Sequence, residues 1–176
     1  QTYFSLSLEH SEDAEYYAKI KQIFNLKKDP KNGTIIGFPK ESAPRVFVSL
    51  DNFRIFSSSL PLYTPSRSVA KFLYKNIPPW ILYTIIKKKS TNKFRVGESL
   101  LLEKIKDIFP NMSSISIYAG APGPHRKPLV EVLDNNGKVL GYVKMGINRI
   151  TNALLRKEEE ALNYIKSLNL NTVLIP

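Results

Sequence analysis

Cysteine is absent from the chain, and histidine occurs only twice in 176 residues. Without cysteine the protein can form neither a disulfide framework nor a thiolate metal site. The two histidines, His10 and His125, lie far apart in the sequence and form no spaced metal-binding motif. The composition therefore excludes a disulfide-stapled fold and gives no sign of a zinc centre.

Long apolar runs are also missing. No uninterrupted run approaches the roughly 18 to 20 residues that a membrane-spanning helix needs. The chain begins at Gln1 and shows no basic segment followed by an apolar leader, so no signal peptide is visible. With 43% hydrophobic and 23% charged residues, the composition is typical of a globular protein of one domain or two small ones. We therefore expect a cytoplasmic location.

The positive charge is concentrated in one section of the chain. The formal net charge is +11, and the section from Arg67 to Lys106 holds ten lysine and arginine residues against two glutamates. Such a section favours phosphates, anionic lipid or nucleic acid, although a solvated basic surface has the same composition. No RNA- or DNA-binding motif accompanies it, so we expect no nucleic-acid partner.

The segment WILYTIIKKK, Trp80 to Lys89, has two interpretations. It is either a core helix with a solvated basic end or a helix that lies in a membrane interface. In the second case Trp80 and Tyr83 would lie near lipid headgroups, and a lysine triplet would contact anionic lipid. The triplet consists of Lys87, Lys88 and Lys89.

The sequence of residues 1–110 predicts an accessory α+β region. Ser11 can cap a first helix, and TIIGF, Thr34 to Phe38, predicts a strand. Two β-rich runs, RVFVSL and FRIFSS, flank Asp51-Asn52 and predict a tight hairpin. Three helical segments then form the basic section, at residues 64–77, 78–89 and 96–109.

Residues 111–176 predict an antiparallel sheet with one packed helix. Three strands are expected in SISIYAG, KPLVEVLD and VLGYVKMG, with a tight turn at NNGK between the last two. A long helix from Thr151 to Leu168 follows, with its apolar residues on one face, and NTVLIP predicts a further strand. The chain as a whole is therefore expected to be α+β.

One lysine, Lys144, lies in the middle of the apolar run VLGYVKMG. A charge in a buried strand is costly unless it has a partner. Two interpretations follow: Lys144 extends to solvent from an edge strand, or it holds a negatively charged group.

The order of elements from Ser114 onward is strand, Gly/Pro loop, strand, tight turn, lysine-bearing strand and acidic helix. This order resembles the small lobe of the protein-kinase-like fold, and more specifically that of the aminoglycoside/choline kinase-like phosphotransferases. In that family the loop after the first strand covers the nucleotide phosphates. A lysine on the third strand contacts the α- and β-phosphates, and a glutamate on the next helix pairs with that lysine.

The resemblance assigns roles to four residues. Gly120 and Gly123, in YAGAPGPHR, would let the loop amides approach the phosphates. Lys144 would contact the phosphates, and Glu158, in LLRKEEEALNYIKSL, would pair with Lys144. Glu159 is the second choice for that pairing, and the other glutamates fit a solvated helix face.

The loop departs from the family pattern because it reads Gly120-x-x-Gly123 and carries Pro122 and Pro124, which donate no backbone hydrogen bonds. An ordinary hairpin loop has the same composition. Positive charge follows directly, at His125, Arg126 and Lys127. The family's second lobe is not represented in this sequence, so its catalytic aspartate and its Mg²⁺ ligands have no counterparts here.

Together these features predict an accessory region at residues 1–110 and an incomplete kinase-like small lobe at residues 111–176. The resemblance implies the nucleotide-positioning part of a longer ATP-dependent phosphotransferase that acts on a small hydroxylated substrate. ATP and Mg²⁺ would be its cofactors, and this chain alone would be inactive. The alternative is a non-catalytic basic module that docks on an anionic membrane surface or a polyanion, which would place the protein at the membrane periphery.

Overall fold

The computed structural model of the chain describes residues 14–39, 44–60, 77–120 and 125–168. These residues form an α+β fold in which seven strands make one antiparallel sheet. The strands are β1 (Leu26–Lys28), β2 (Ile35–Pro39), β3 (Pro44–Ser49), β4 (Lys93–Val96), β5 (Ser114–Tyr118), β6 (Leu129–Leu133) and β7 (Val139–Lys144). The helices are α1 (residues 14–23), α2 (Phe53–Ser59), α3 (Pro79–Lys89), α4 (Leu100–Ile108) and α5 (Arg149–Ser167).

The strands follow the order β1-β4-β2-β3-β5-β6-β7. Strand β3 pairs with β5, with Val46 opposite Tyr118 and Phe47 opposite Ile117. The sheet is therefore continuous across residue 110, where the sequence predicts a boundary between two regions. The functional division into residues 1–110 and 111–176 stays a prediction.

Different helices cover the two faces of the sheet. Ile20 of α1 and Ile105 of α4 belong to the same apolar cluster as Phe47 of β3. Phe56 of α2 and the half-buried apolar side chains of α3 join Val48 in a second cluster. Because side chains alternate along a strand, the neighbours Phe47 and Val48 serve opposite cores.

The segment FRIFSS forms helix α2, so the predicted hairpin is wrong. Asn52, expected in the turn, is the N-cap of this helix, and its side-chain oxygen accepts a hydrogen bond from the Ile55 backbone N–H at 3.0 Å. Ile55, Phe56 and Ser59 are buried at helical spacing. Burial of one helix face against the sheet therefore overrides the β propensity of phenylalanine and isoleucine.

Most of the other predicted elements are confirmed. TIIGF includes all of β2 except Pro39. SISIYAG, KPLVEVLD and VLGYVKMG contain β5, β6 and β7, and two of the basic helical segments contain α3 and α4. Helix α5 begins two residues earlier than predicted because Asn148 and Thr151 form a capping box. The predicted strand at NTVLIP, the cap at Ser11 and almost all of the helix predicted at residues 64–77 lie outside the described residues.

The predicted turn at NNGK is confirmed, and it packs against α2. Gly137 has a φ of +80°, and a Cβ at this position would lie 2.7 Å from the Arg54 backbone, so both conformation and space require glycine. The Asn52 side chain donates to the Asn135 carbonyl at 3.0 Å, and Arg54 donates to the Asn136 side chain at 3.3 Å. The β6–β7 hairpin is thus fixed to the start of α2.

No helix within the described ranges has both the length and the apolar character needed to cross a bilayer.

Candidate anion-binding site at the β7 edge

Lys144 is the last residue of β7, the outer strand at one end of the described sheet. Its side chain is 60% exposed, and no residue of β7 is buried. Within the described residues β7 has a neighbouring strand on one side only, so the strand that carries Lys144 is an edge strand. Lys144 extends towards solvent from an edge strand, and it also has a carboxylate partner.

Glu158 of α5 is that partner. Its Oε2 accepts a hydrogen bond from Lys144 Nζ at 3.2 Å. The N-cap of α5, Asn148, lies four residues after the end of β7. Glu158 is more than two helical turns from the start of α5, and its side chain reaches the end of β7 at Lys144. Glu159, the second choice for the pairing, is exposed. The structure thus brings Lys144 together with Glu158.

A second lysine contacts the same carboxylate. Lys127 Nζ donates to Glu158 Oε1, and the Lys127 side chain is 22% exposed, much less than that of Lys144. The sequence indicates Lys127 only as nearby positive charge. The register between β6 and β7 would have placed Lys127 near Lys144. Leu129 lies opposite Lys144, and because side chains alternate along a strand, Lys127 lies on the same side of the sheet as Leu129.

The two lysines keep Glu158 ionised. The hydrogen bond from Lys127 is the largest cause that lowers the pKa of Glu158 below its ordinary value, followed by the hydrogen bond from Lys144. Two ammonium groups and one carboxylate leave one excess positive charge at this edge. The site is therefore attractive to an anion even while its own carboxylate is present.

The Gly/Pro loop begins at Gly120, whose φ of +85° lies in the left-handed region that favours glycine. Helix α1 fixes both ends of the loop. The Tyr16 hydroxyl donates to the Ala119 carbonyl, and the Arg126 guanidinium lies 4.1 Å from the centre of the Tyr16 ring. Gly123, with the rest of residues 121–124, lies outside the described residues.

A different carboxyl group, Glu131 of β6, is 3% exposed. It lies opposite Tyr142, whose hydroxyl donates to Glu131 Oε1 at 3.4 Å. Burial raises the pKa of Glu131, and hydrogen bonds with Ser59 and Tyr142 partly oppose the rise. Its Oε2 has no hydrogen-bond partner within the described residues. The sequence does not reveal this group, because the alternation in Val-Glu-Val is typical of a glutamate on a solvent face.

Helix α3 carries the basic triplet on an exposed surface. Trp80 is 59% exposed and Ile85 is 45% exposed. Tyr83 instead faces the sheet, where its hydroxyl donates to the Leu50 carbonyl at 3.2 Å and its ring packs on Phe56. Tyr83 is half-buried, and its hydroxyl also accepts a hydrogen bond from Lys87 Nζ at 2.7 Å. All three lysines of the triplet are exposed, at positions Lys87, Lys88 and Lys89.

A separate cleft of about 320 Å³ opens beside the start of α4. Carboxylates and hydroxyls line it together with apolar side chains, and they include Asp51, Glu103 and Ser114. Neither Lys144 nor Glu158 lines this cleft, so it is not part of the β7 edge site.

Comparison with protein-family models, with curated proteins and with solved structures finds no match to this chain. Across the described ranges, no group of three or more histidine or acidic side chains could hold a metal ion. The chemistry of the β7 edge therefore provides the basis for inferring a function.

Proposed function

We propose that this chain is the nucleotide-positioning part of an ATP-dependent phosphotransferase that acts on a small hydroxylated substrate. The observation that carries the proposal is the ion pair between Lys144 and Glu158, with 3.2 Å between Nζ and Oε2. A strand lysine paired with a glutamate of the following helix is the arrangement that orients nucleotide phosphates in kinase-like small lobes. The proposal includes the correspondence of β5, β6, β7 and α5 to such a lobe.

The side chains around the ion pair fit a phosphate chain. Lys144 is 60% exposed, so its ammonium group can contact a ligand without displacing core residues. Lys127 adds a second cation beside it, and phosphate oxygens form strong charge-assisted hydrogen bonds with ammonium groups. ATP, when bound, would supply the phosphoryl group for transfer.

In this proposal Lys144 binds the nucleotide phosphates, and Glu158 orients Lys144. Gly120 and Gly123 of the Gly/Pro loop are assigned to the nucleotide phosphates, as the resemblance implies. Proton transfer and Mg²⁺ coordination would come from a second lobe, so this chain contributes binding and not turnover.

The proposal is tested by measuring the Kd for ATP of three proteins: the 176-residue chain, its Lys144→Met variant, and Lys138→Met as a matched control. Lys138 is also exposed, and it directly precedes β7 at the end opposite to Lys144. Removal of one charge-assisted hydrogen bond should raise the Kd for ATP about tenfold to a hundredfold in Lys144→Met. The Lys138→Met chain should bind like the parent. An equal loss in both variants would mean that ATP senses only the overall charge, and the proposal would then be wrong.

A second candidate function is docking on an anionic membrane, which the exposure of Trp80 and Ile85 beside the lysine triplet favours. An exposed aromatic and an aliphatic side chain can enter the headgroup region while the lysines contact anionic lipid. Since Trp80 is the only tryptophan in the chain, its fluorescence reports directly on this contact.

Vesicles of phosphatidylserine and phosphatidylcholine should shift the Trp80 emission to the blue, and vesicles of phosphatidylcholine alone should not. At about 1 kcal/mol for each lysine, replacing the triplet by glutamine should reduce the partition coefficient roughly a hundredfold. A matched variant removes three exposed lysines outside the basic section, at Lys31, Lys138 and Lys157. If both triple variants partition equally, α3 is not the docking surface.

A further inference from the structure

The cleft beside the start of α4 has the size and the apolar wall of a small-molecule site. Its volume of about 320 Å³ lies at the lower end of the range for ligand pockets. Val96, Leu102 and Met112 line it and are only half-buried, so their side chains still expose apolar surface. The cleft can therefore bury the apolar body of a ligand, and its polar groups decide which ligand fits.

The charge of the cleft is opposite to that of the whole chain. Three carboxylates line it, at Asp51, Glu98 and Glu103, together with one ammonium group, at Lys106. Three negative charges and one positive charge leave a net charge of −2, whereas the formal net charge of the chain is +11. Among these described side chains, no ion pair joins Lys106 to a carboxylate. The cleft therefore attracts a cationic ligand.

The carboxylates lie on different elements and are not gathered at one point. Ile35, at the start of β2, lies opposite Phe94 of β4 on one side and Ser49 of β3 on the other. Glu98 follows the end of β4, and Asp51 follows the end of β3. Two strand spacings place these strand ends about 10 Å apart. Accordingly, no group of three acidic side chains within the described ranges could hold a metal ion.

Buried hydroxyl groups fix Asp51 at its end of the cleft. Its Oδ2 accepts a hydrogen bond from the Ser114 hydroxyl at 2.6 Å and another from the Ser49 hydroxyl at 2.9 Å. Both serines are buried, whereas Asp51 is exposed. The other oxygen, Oδ1, accepts no hydrogen bond from the residues that the structure describes. Asp51 thus offers a positioned acceptor to a ligand.

We propose that this cleft binds an aliphatic diamine, with one ammonium group at Asp51 and the other between Glu98 and Glu103. Primary amines are protonated at pH 7, as lysine is, so a dication matches the net charge of the cleft. A chain of four methylene groups with a hydrogen bond at each end spans roughly 12 Å, which is comparable with the separation of the strand ends. The methylene groups pack on the apolar wall.

The proposal is independent of the β7 edge site. Ser114 of the cleft lies opposite Leu133, at one end of β6, whereas Lys144 lies opposite Leu129, at the other end. Four residues of strand separate the two levels by about 14 Å. The diamine therefore occupies a second site, and its binding is measured without a nucleotide, so failure of one proposal leaves the other intact.

NMR titration of the 176-residue chain with butane-1,4-diamine tests the proposal, at pH 7 and an ionic strength of about 0.15 M to screen distant charges. The Asp51 and Ser114 amide signals should shift, and 1-aminobutane should bind at least about tenfold more weakly because it forms one charge-assisted hydrogen bond fewer. Butane-1,4-diol should not bind. Absence of diamine binding, or equal binding of the diamine and the monoamine, would overturn the proposal.

Variants at both ends of the cleft provide the second test. Asp51→Asn keeps an oxygen for the serine hydroxyls but removes the charge, so the Kd for the diamine should rise about tenfold or more. Glu98→Gln/Glu103→Gln changes only exposed side chains, and it should remove the advantage of the diamine over the monoamine. This double variant carries the test if Asp51→Asn does not fold.

Asp107→Asn is the matched control, because Asp107 is exposed on the same helix and does not line the cleft. It should bind the diamine like the parent chain. If Asp107→Asn weakens binding as much as Asp51→Asn, the diamine responds only to overall charge and the proposed site is wrong. If the double variant keeps the parent Kd, the second ammonium group has no partner in the cleft and the proposal is also wrong.

Discussion

Glu131 within the sheet and Glu158 beside its outer strand are two carboxyl groups that the fold accommodates in opposite ways. Glu131 is 3% exposed, has hydroxyl partners, and its pKa is raised by burial. Glu158 is 40% exposed, has two lysine partners, and its pKa is lowered by them. The first arrangement costs stability at neutral pH, because a carboxylate is desolvated without a counter-charge. The second keeps an ion pair within reach of solvent, where a ligand can compete for it.

The comparison extends to the apolar packing around the two groups. Phe47 and Ile117, on the paired central strands β3 and β5, are fully buried. On α5, Leu162 and Tyr164 are 42% and 66% exposed. The interior strands therefore provide most of the stability of the described fold, and the β7–α5 edge provides accessible charge.

The largest expected effect separates the two regions by stability. Phe47→Ala should lower the free energy of unfolding by about 3 to 5 kcal/mol, because it opens a cavity at a fully buried position. Leu162→Ala should cost less than about 1 kcal/mol, since the side chain is already partly in water. Urea denaturation at pH 7 measures both, and Phe47→Leu serves in place of Phe47→Ala if that variant does not fold. If the two alanine variants lost equal free energy of unfolding, the central strands and the β7–α5 edge would not differ in their contribution to stability.

A smaller effect of opposite sign is expected at Glu131. Its pKa is raised in the folded chain, so between the unfolded and folded pKa values the folded state binds more protons and stability falls as pH rises. Glu131→Gln should therefore increase the free energy of unfolding at pH 7.5 by about 1 kcal/mol. It should also reduce the decrease in stability that accompanies rising pH. Denaturation curves at pH 4 and pH 7.5 test this, and a destabilised variant at pH 7.5 would contradict it.

Loss of the α2 cap should loosen the cover over Glu131. Asn52→Ala removes both the acceptor of the Ile55 N–H and the donor to the Asn135 carbonyl, and it should cost about 1 to 2 kcal/mol. Asn52→Asp keeps only the acceptor, so it should cost less than Asn52→Ala but is not expected to match the parent. Because α2 also carries Ser59 beside Glu131, water access should bring the pKa of Glu131 closer to its ordinary value in Asn52→Ala. An unchanged pKa in an NMR titration would show that α2 does not control the environment of Glu131.

The smallest effect is expected at Glu158 itself. Glu158→Gln should change the free energy of unfolding by less than about 1 kcal/mol at pH 7, because ion pairs exposed to this degree contribute little. Since the folded pKa is lowered, whatever Glu158 contributes is present above its unfolded pKa and is lost as pH falls through the folded pKa. If Glu158→Gln changed the free energy of unfolding as much as Phe47→Ala, the β7–α5 edge would be a main contributor to stability and the comparison would be wrong.

The contact between Lys144 and Glu158 could be predicted because both positions depend on local patterns. The alternation in VLGYVKMG defines a strand, and the stripe of Leu154, Glu158 and Leu162 defines one face of the next helix. The contact of Lys127 and the burial of Glu131 could not be predicted in this way. Both depend on the register between β6 and β7 and on what covers the sheet, which a single strand does not encode.

Two fold features also required information from beyond the local sequence. The segment FRIFSS has β-forming residues, yet the cap at Asn52 and burial beneath the sheet make it helical. Strands β1 and β4 are only three and four residues long and contain four charged residues between them. They pair with each other across more than sixty residues of sequence, and their composition alone does not distinguish them from loops.

The attachment of the β6–β7 turn to α2 has a consequence for the order of folding. The turn at Gly137 joins strands that are adjacent in sequence, so the hairpin closes only a short loop. The hydrogen bonds between Asn52 and Asn135 and between Arg54 and Asn136 span 83 and 82 residues. Closing loops of that length costs considerably more chain entropy. The hairpin is therefore expected to form early, and its docking on α2 to complete the fold late.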